Sequence, residues 1–257
     1  DTDPVYEGDL TQRVTLTFDE AMTTDGSVNP TLTFDRGTWG TNGDGVWNSP
    51  TDTVWTEAFT LVDHDEEFYD RTIGVSMVAV TASNARDAAG NLQEPYAAEP
   101  EFDMDTVQPE ITEFTSVPDG GCHVAGDMID ITVAFSESVF GALTLHLGSG
   151  GIVDVLGVDD SESETRTYTI QWGENSCDLD VESAAVEAGG DLVDWAGNYA
   201  HWMGGATNLS LPTGHNLADN SAVIVDTTLP IAVTDPDEDE ARGGADSDIV
   251  EVRLDPQ

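Results

Sequence analysis

The sequence predicts an all-β chain built as tandem antiparallel two-sheet sandwiches. Three observations lead there: short segments repeat in order, apolar residues alternate with polar ones at a period of two, and Gly and acidic turns punctuate the alternating runs. Asp87-Ala-Ala-Gly-Asn91 returns as Asp194-Trp-Ala-Gly-Asn198, and Asp105-Thr-Val-Gln-Pro109 returns as Asp226-Thr-Thr-Leu-Pro230. Repetition of this kind fits a spacer or a binding surface better than an enzyme.

A second set of positions repeats independently. Val14, Leu16 and Phe18 alternate with polar residues and lead into Asp19-Glu20; Ile131, Val133 and Phe135 do the same before Ser136-Glu137, and Val250, Val252 and Leu254 lie near the end of the sequence. Such alternation buries one face of a strand. Each run follows a Gly and acidic turn, at Gly8-Asp9, at Gly126-Asp127 and between Gly243 and Asp248. The marks divide the chain into a first module of residues 1–105, a second of 106–226 and a partial third of 227–257. Strands are expected near 12–18, 30–34, 53–62, 72–81, 110–116, 128–135, 142–147, 152–158, 165–172 and 221–225. Helices are not expected: the best candidate, Val181 to Ala188, is too short and ends at Gly189-Gly190.

Charge narrows the function classes. The chain has 51 acidic residues against 7 basic ones, all Arg, for a formal net charge of −44. Self-repulsion on that scale is relieved by salt, by elongation or by bound cations. Nucleic acid is excluded as a partner, because phosphate binding needs the opposite sign. No stretch is apolar for the length of a membrane span, so membrane insertion is not expected. The opening residues do not read as an intact signal peptide, which leaves a removed leader or an excerpt from a longer array. The absence of lysine beside so many carboxylates also fits a protein adapted to brine, and that reading coexists with discrete cation sites.

Cys122 and Cys177 are the two cysteines, and a bridge between them closes a loop of 55 residues. Such a bridge stabilises by about 4 kcal/mol on chain-entropy grounds and fits a secreted or surface protein. Two unpaired buried thiols are the alternative.

Val-Thr-Leu-Thr-Phe-Asp-Glu-Ala-Met (14–22) with its counterpart Ile-Thr-Val-Ala-Phe-Ser-Glu-Ser-Val (131–139), the Asp-x-Ala-Gly-Asn turn and the Asp-Thr-x-x-Pro junction recur in matched order. In these features the chain resembles the immunoglobulin-like extender repeats of large bacterial surface adhesins, many of which bind calcium. The resemblance implies immunoglobulin-like sandwiches stacked end to end, Ca²⁺ at or near the junctions, and no catalysis.

The junction chemistry agrees with that implication. Calcium takes six to eight oxygen ligands, mostly carboxylates and carbonyls. Asp103 and Asp105 offer alternate carboxylates on one side of an extended strand, and Asp226 is the equivalent at the second boundary. Asp87 and Asn91, and Asp194 and Asn198, lie in turns that fold back with further oxygens; Asp and Asn also stabilise turns by bonding to their own backbone. Asp235, Asp237 and Asp239 carry the alternating acidic spacing that opens many calcium loops, without the Gly and Glu of an EF-hand. The run Asp63-His64-Asp65-Glu66-Glu67 reads as a solvated loop.

Catalytic constellations are absent: no Gly-x-Ser-x-Gly, His-Glu-x-x-His, phosphate loop or Cys-x-x-Cys occurs, and the five histidines have no ligand spacing. The sequence therefore reads as an extracellular structural segment of an adhesin, surface layer or filament, partnered by neighbouring copies or modules. The competing reading is a module that binds a glycan or surface receptor through the 199–225 insertion, where Trp202 offers an aromatic on a long loop. Thr2-Asp3-Pro4 also matches Thr234-Asp235-Pro236, so the first module reads as lacking its opening strand. Strand exchange between copies and an excerpt of a longer array both account for it.

Overall fold

The computed structural model describes residues 4–25, 28–43, 45–48, 50–62, 67–68, 78–186, 190–200, 208–230, 232–234 and 252–254. They form an all-β architecture, in which the ladders are antiparallel apart from one parallel pair and a single bridge. The first strands are β1 (Thr11–Thr17), β2 (Thr31–Phe34), β3 (Trp39–Thr41), β4 (Val46–Trp47), β5 (Val54–Leu61), β6 (Glu67–Phe68), β7 (Val78–Ser83), β8 (Tyr96–Phe102) and β9 (Met104–Asp105). One sheet runs β1-β5-β3 with β4 on β5, a second runs β2-β7-β8, and β6 pairs with β9. Phe34 of β2 meets Phe59 of β5 edge-on at 5.1 Å, and Trp39 of β3 meets Phe102 of β8 at 5.7 Å. Those edge-to-face pairs close the two sheets on each other. Val5, Leu61, Val78, Val80, Phe102 and Met104 form the buried cluster beside them, and Trp55 is 1% exposed.

The next strands are β10 (Ile111–Val117), β11 (Gly120–His123), β12 (Met128–Leu147), β13 (Ile152–Thr169), β14 (Val181–Ala185), β15 (Leu192–Asp194) and β16 (Asn208–Leu209). A single helical turn, α1 (Leu217–Asn220), is held by a capping box between Asn216 and Asp219. After it come β17 (Ala222–Val225), β18 (Ala232–Thr234) and β19 (Val252–Leu254). The first half of β12 lies between β10 and β13, and its second half between β13 and the pair β14 and β15. Alternation in β12 puts Ile129, Ile131, Val133 and Phe135 into one core with Ile111, Phe114, Leu143, Leu145 and Val223. Gly141, at φ +130°, makes the changeover possible: a Cβ there would sit 1.8 Å from the Asp191 carbonyl oxygen.

Two expectations change. The predicted pairs 128–135 with 142–147, and 152–158 with 165–172, are one long hairpin, because the residues between them form bulges instead of turns. The candidate helix from Val181 begins as strand β14, whose Val181 and Ala184 are buried in the core. In addition, β11 pairs parallel with β17, a contact that Gly120-Gly-Cys-His123 gives no alternation to reveal.

The proposed disulfide is also corrected. Cys122 and Cys177 are free and exposed. β17 stands between them: Cys122 pairs with Ile224 from one side, while Ser176 exchanges both backbone hydrogen bonds with Val225 from the other. Two strand spacings amount to about 10 Å, beyond the roughly 7 Å that a disulfide spans between Cα atoms.

The internal repeat extends to strand register. Thr11 to Thr17 pair with Thr60 to Val54 residue for residue as Met128 to Ala134 pair with Thr169 to Ser163. Met22 bridges Asp87 just as Val139 pairs with Asp194.

Candidate metal centre

Asp194 ends β15 and opens a turn that its own side chain organises. Its Oδ1 accepts the backbone N–H groups of Gly197 at 2.7 Å and Asn198 at 2.9 Å, and its Oδ2 accepts the Asn198 carboxamide at 2.7 Å. Gly197 adopts φ +103°, which closes the turn. Val139 pairs with Asp194, so Glu137, two residues earlier on β12, comes alongside. Asp105, at the end of β9, reaches the same place from the segment that leads into β10. Side-chain oxygens of Asp105, Glu137 and Asp194 lie within 4.8 Å of one another, with both aspartates buried and Glu137 half-buried.

Asn198 locks these parts together. It is 1% exposed, and its carboxamide donates to the Asp105 carbonyl oxygen at 2.9 Å as well as to Asp194. Its Oδ1 accepts the Glu7 N–H at 2.8 Å. The Tyr6 ring lies over Gly197, 3.5 Å from where a Cβ would stand. Residues 5–7 are anchored from the other side, since Val5 exchanges backbone hydrogen bonds with Asp103 and Asp105. With both ends of its carboxamide hydrogen-bonded, Asn198 ties the turn to the linker and to residue 7.

Burial pushes the Asp194 carboxyl above the ordinary carboxylate range, against hydrogen bonds from Asn198, Gly197 and Ala196 that hold it down. Carboxylates gathered this closely repel one another, and a cation between them relieves that repulsion. The donor set suits calcium. Calcium–oxygen distances of about 2.3–2.6 Å allow two ligands of one ion to stand up to about 5 Å apart.

The first repeat carries the same turn without the linker. Asp87 accepts from Asn91 N at 2.7 Å and from the Asn91 carboxamide at 2.6 Å. Those bonds, the Asn91 side chain first, hold its carboxyl below the usual range. Glu20 stands where the second repeat has Glu137, and it is exposed. Asp87 and Asn91 thus form a self-contained turn, and among the described residues no third carboxylate completes it.

Of the residues grouped by sequence, Asp105, Asp194 and Asn198 come together. Asp103 is half-buried and is not one of the three clustered carboxylates. Asp226 is exposed, with its carboxylate accepting the Thr228 N–H at 2.8 Å. Asp235, Asp237, Asp239 and Trp202 lie outside the described residues. Glu137 joins the cluster without being among the residues that the sequence grouped; Phe18-Asp-Glu20 and Phe135-Ser-Glu137, where Glu follows the same strand twice, carry its signal.

No family model matches the chain, and no curated protein matches it. Among the described residues, no helix is long and apolar enough to cross a membrane.

Proposed function

We propose that this chain is a structural extender segment of an extracellular adhesin, surface layer or filament, stiffened by Ca²⁺ where one set of strands leads into the next. The observation that carries the reading is the buried meeting of Asp105, Glu137 and Asp194 at that linker, with Asn198 tying the linker, the turn and residue 7 into one unit. A cation there neutralises carboxylates that otherwise repel, and it draws linker and turn together. Calcium in this role is mechanical.

The strand pairings support immunoglobulin-like sandwiches. The first half of β12 pairs with an opening strand, β10, and a later one, β13, while its second half pairs with β13 and β14; β11 runs parallel to the last strand, β17. In this reading β12 and β13, which pair with each other along their length, pass from one face of such a sandwich to the other. The net charge of −44 suits an elongated array in a salty, calcium-containing exterior.

Calcium titration by calorimetry tests the reading. The full chain is expected to bind with a stoichiometric component that Glu137→Gln removes. Binding of equal strength in both proteins refutes the site.

A further inference from the structure

Asparagine is depleted in strands, because its side chain competes for backbone hydrogen bonds and favours turns and caps. This chain follows that rule with one exception. Asn48, Asn91, Asn175, Asn198, Asn216 and Asn220 each use the side chain to hold a turn, a cap or a neighbouring segment. Asn208 stands in strand β16 and is exposed. Among the described residues, its carboxamide has no hydrogen-bond partner. The fold gives no reason for an asparagine there.

The neighbours of Asn208 supply a different reason. Leu209 is 7% exposed, belongs to the core and pairs with Ala184 of β14, which fixes the facing of the segment. Alternation then turns Asn208 and Ser210 outward, and both are exposed. β16 ends the path β10-β12-β14-β16, so among the described residues no strand stands between this pair and an approach from the sheet edge. Asn208-Leu-Ser210 is the acceptor pattern for glycosylation of a carboxamide nitrogen. The chain has one other Asn-x-Ser or Asn-x-Thr triplet, Asn29-Pro-Thr31, and its central Pro disqualifies it.

The repeat shows that the triplet is not needed for folding. It lies between Asn198 and Asp226, in a stretch twice as long as its counterpart from Asn91 to Asp105, and that counterpart contains no such triplet. A depression of about 470 Å³ opens beside it, with Gln108 and Glu110 of the linker and Thr213 on its walls.

We propose that Asn208 carries an N-linked saccharide. The donor is a saccharide activated on a lipid diphosphate. A bond forms between the Asn208 Nδ2 and the anomeric carbon, the bond from that carbon to the diphosphate oxygen breaks, and the lipid diphosphate leaves with the electron pair while the carboxamide gives up one proton. The Ser210 hydroxyl is the second element that the transferring enzyme reads. The first sugar rings lie across the depression, where their hydroxyl groups meet Gln108, Glu110 and Thr213. A bulky, hydrated group at this place also keeps another chain from pairing with the edge of β16. The inference rests on the reading of the chain as an exported surface protein, but it needs no metal.

Peptide mass spectrometry of the chain taken from the cells that make it tests the proposal. Trypsin cuts after Arg166 and Arg242 and leaves Asn208 in the peptide 167–242. That peptide is expected to exceed its sequence mass by the mass of a saccharide, which fragmentation places on Asn208. Asn208→Gln and Ser210→Ala, made in the same cells, each lose the added mass, and Ser210→Thr keeps it. A native peptide without added mass overturns the proposal. So does added mass that survives Asn208→Gln or Ser210→Ala, or that Ser210→Thr abolishes. In chain made without a transferase, Asn208→Gln is expected to melt at the wild-type temperature; a lower value marks a carboxamide that the fold uses and also overturns it. Protease treatment of intact cells reads export separately. A chain released with Asn208 bare overturns the saccharide and leaves the extender reading standing, whereas a chain that is not released overturns both.

Discussion

Asn198→Ala removes the side chain that holds the junction together, and its cost follows from three bonds. The Glu7 N–H and the Asp105 carbonyl each lose a hydrogen bond in a site where Asn198 is 1% exposed, and the Asp194 carboxylate loses its side-chain donor, keeping those from the backbone. A hydrogen bond between neutral groups is worth about 0.5–1.5 kcal/mol, and one to a charged group about 1.5–3 kcal/mol. The summed loss is roughly 2.5–6 kcal/mol, a large fraction of the roughly 5–15 kcal/mol that keeps a domain folded. Asn91→Ala is the internal control, since Asn91 is exposed and, among the described residues, its side chain bonds only to its own turn at Asp87. Its loss should be a small part of that for Asn198. Urea unfolding of both variants in chelator, followed by tryptophan fluorescence, makes the comparison. Equal losses, within about 1 kcal/mol, would refute the idea that Asn198 clamps the junction.

The twin aspartates should respond to pH with opposite sign. Asp194 is raised in the folded state, so without metal its contribution is fully present below the ordinary Asp value of about 3.9 and is lost as pH rises through its folded value. Asp87 is lowered, so its contribution is present above about 3.9 and is lost as pH falls through its folded value. Stability measured against pH in chelator should lose its high-pH decline in Asp194→Asn and part of its low-pH decline in Asp87→Asn; the same change in both variants would contradict the assignment. Cys122 and Cys177 are free and exposed, so a maleimide should label both in the native, unreduced protein. Mass spectrometry showing a chain that labels only after reduction would contradict the placement of β17 between them.

Much of the fold was legible because it rests on local pattern. The alternation of Val14, Leu16 and Phe18, and of Ile131, Val133 and Phe135, locates β1 and β12, and the repeat anticipates their shared register. Pattern fails where strands continue through bulges: Ser136 and Ser138 look like turn residues, yet β12 runs on through them to pair with β15. It fails again where pairing is decided by distant chain, as for Gly120-Gly-Cys-His123 beside β17 and for Val181 to Ala185, whose burial in the core overrides a helical reading. At the site, sequence picks out Asp105 and Asp194 as carboxylates at junctions. It does not show which atoms of Asn198 face the cluster, because a carboxamide both donates and accepts and only the surrounding backbone decides. Glu137 is not legible as a member of the cluster, because the phrase that carries it also marks the end of an alternating strand.

Thermal unfolding of the full chain at constant ionic strength, in calcium chloride and in sodium chloride, with wild type beside Glu137→Gln, puts the carboxylate cluster to its most direct test. With free calcium at a hundred times its dissociation constant, binding adds about 2.7 kcal/mol, which corresponds to a rise of roughly 10 °C for strands of this extent. The wild type should show that rise in calcium alone, and Glu137→Gln should lose it. Melting temperatures that match in the two salts, or a rise that persists without Glu137, would contradict calcium capture at the junction.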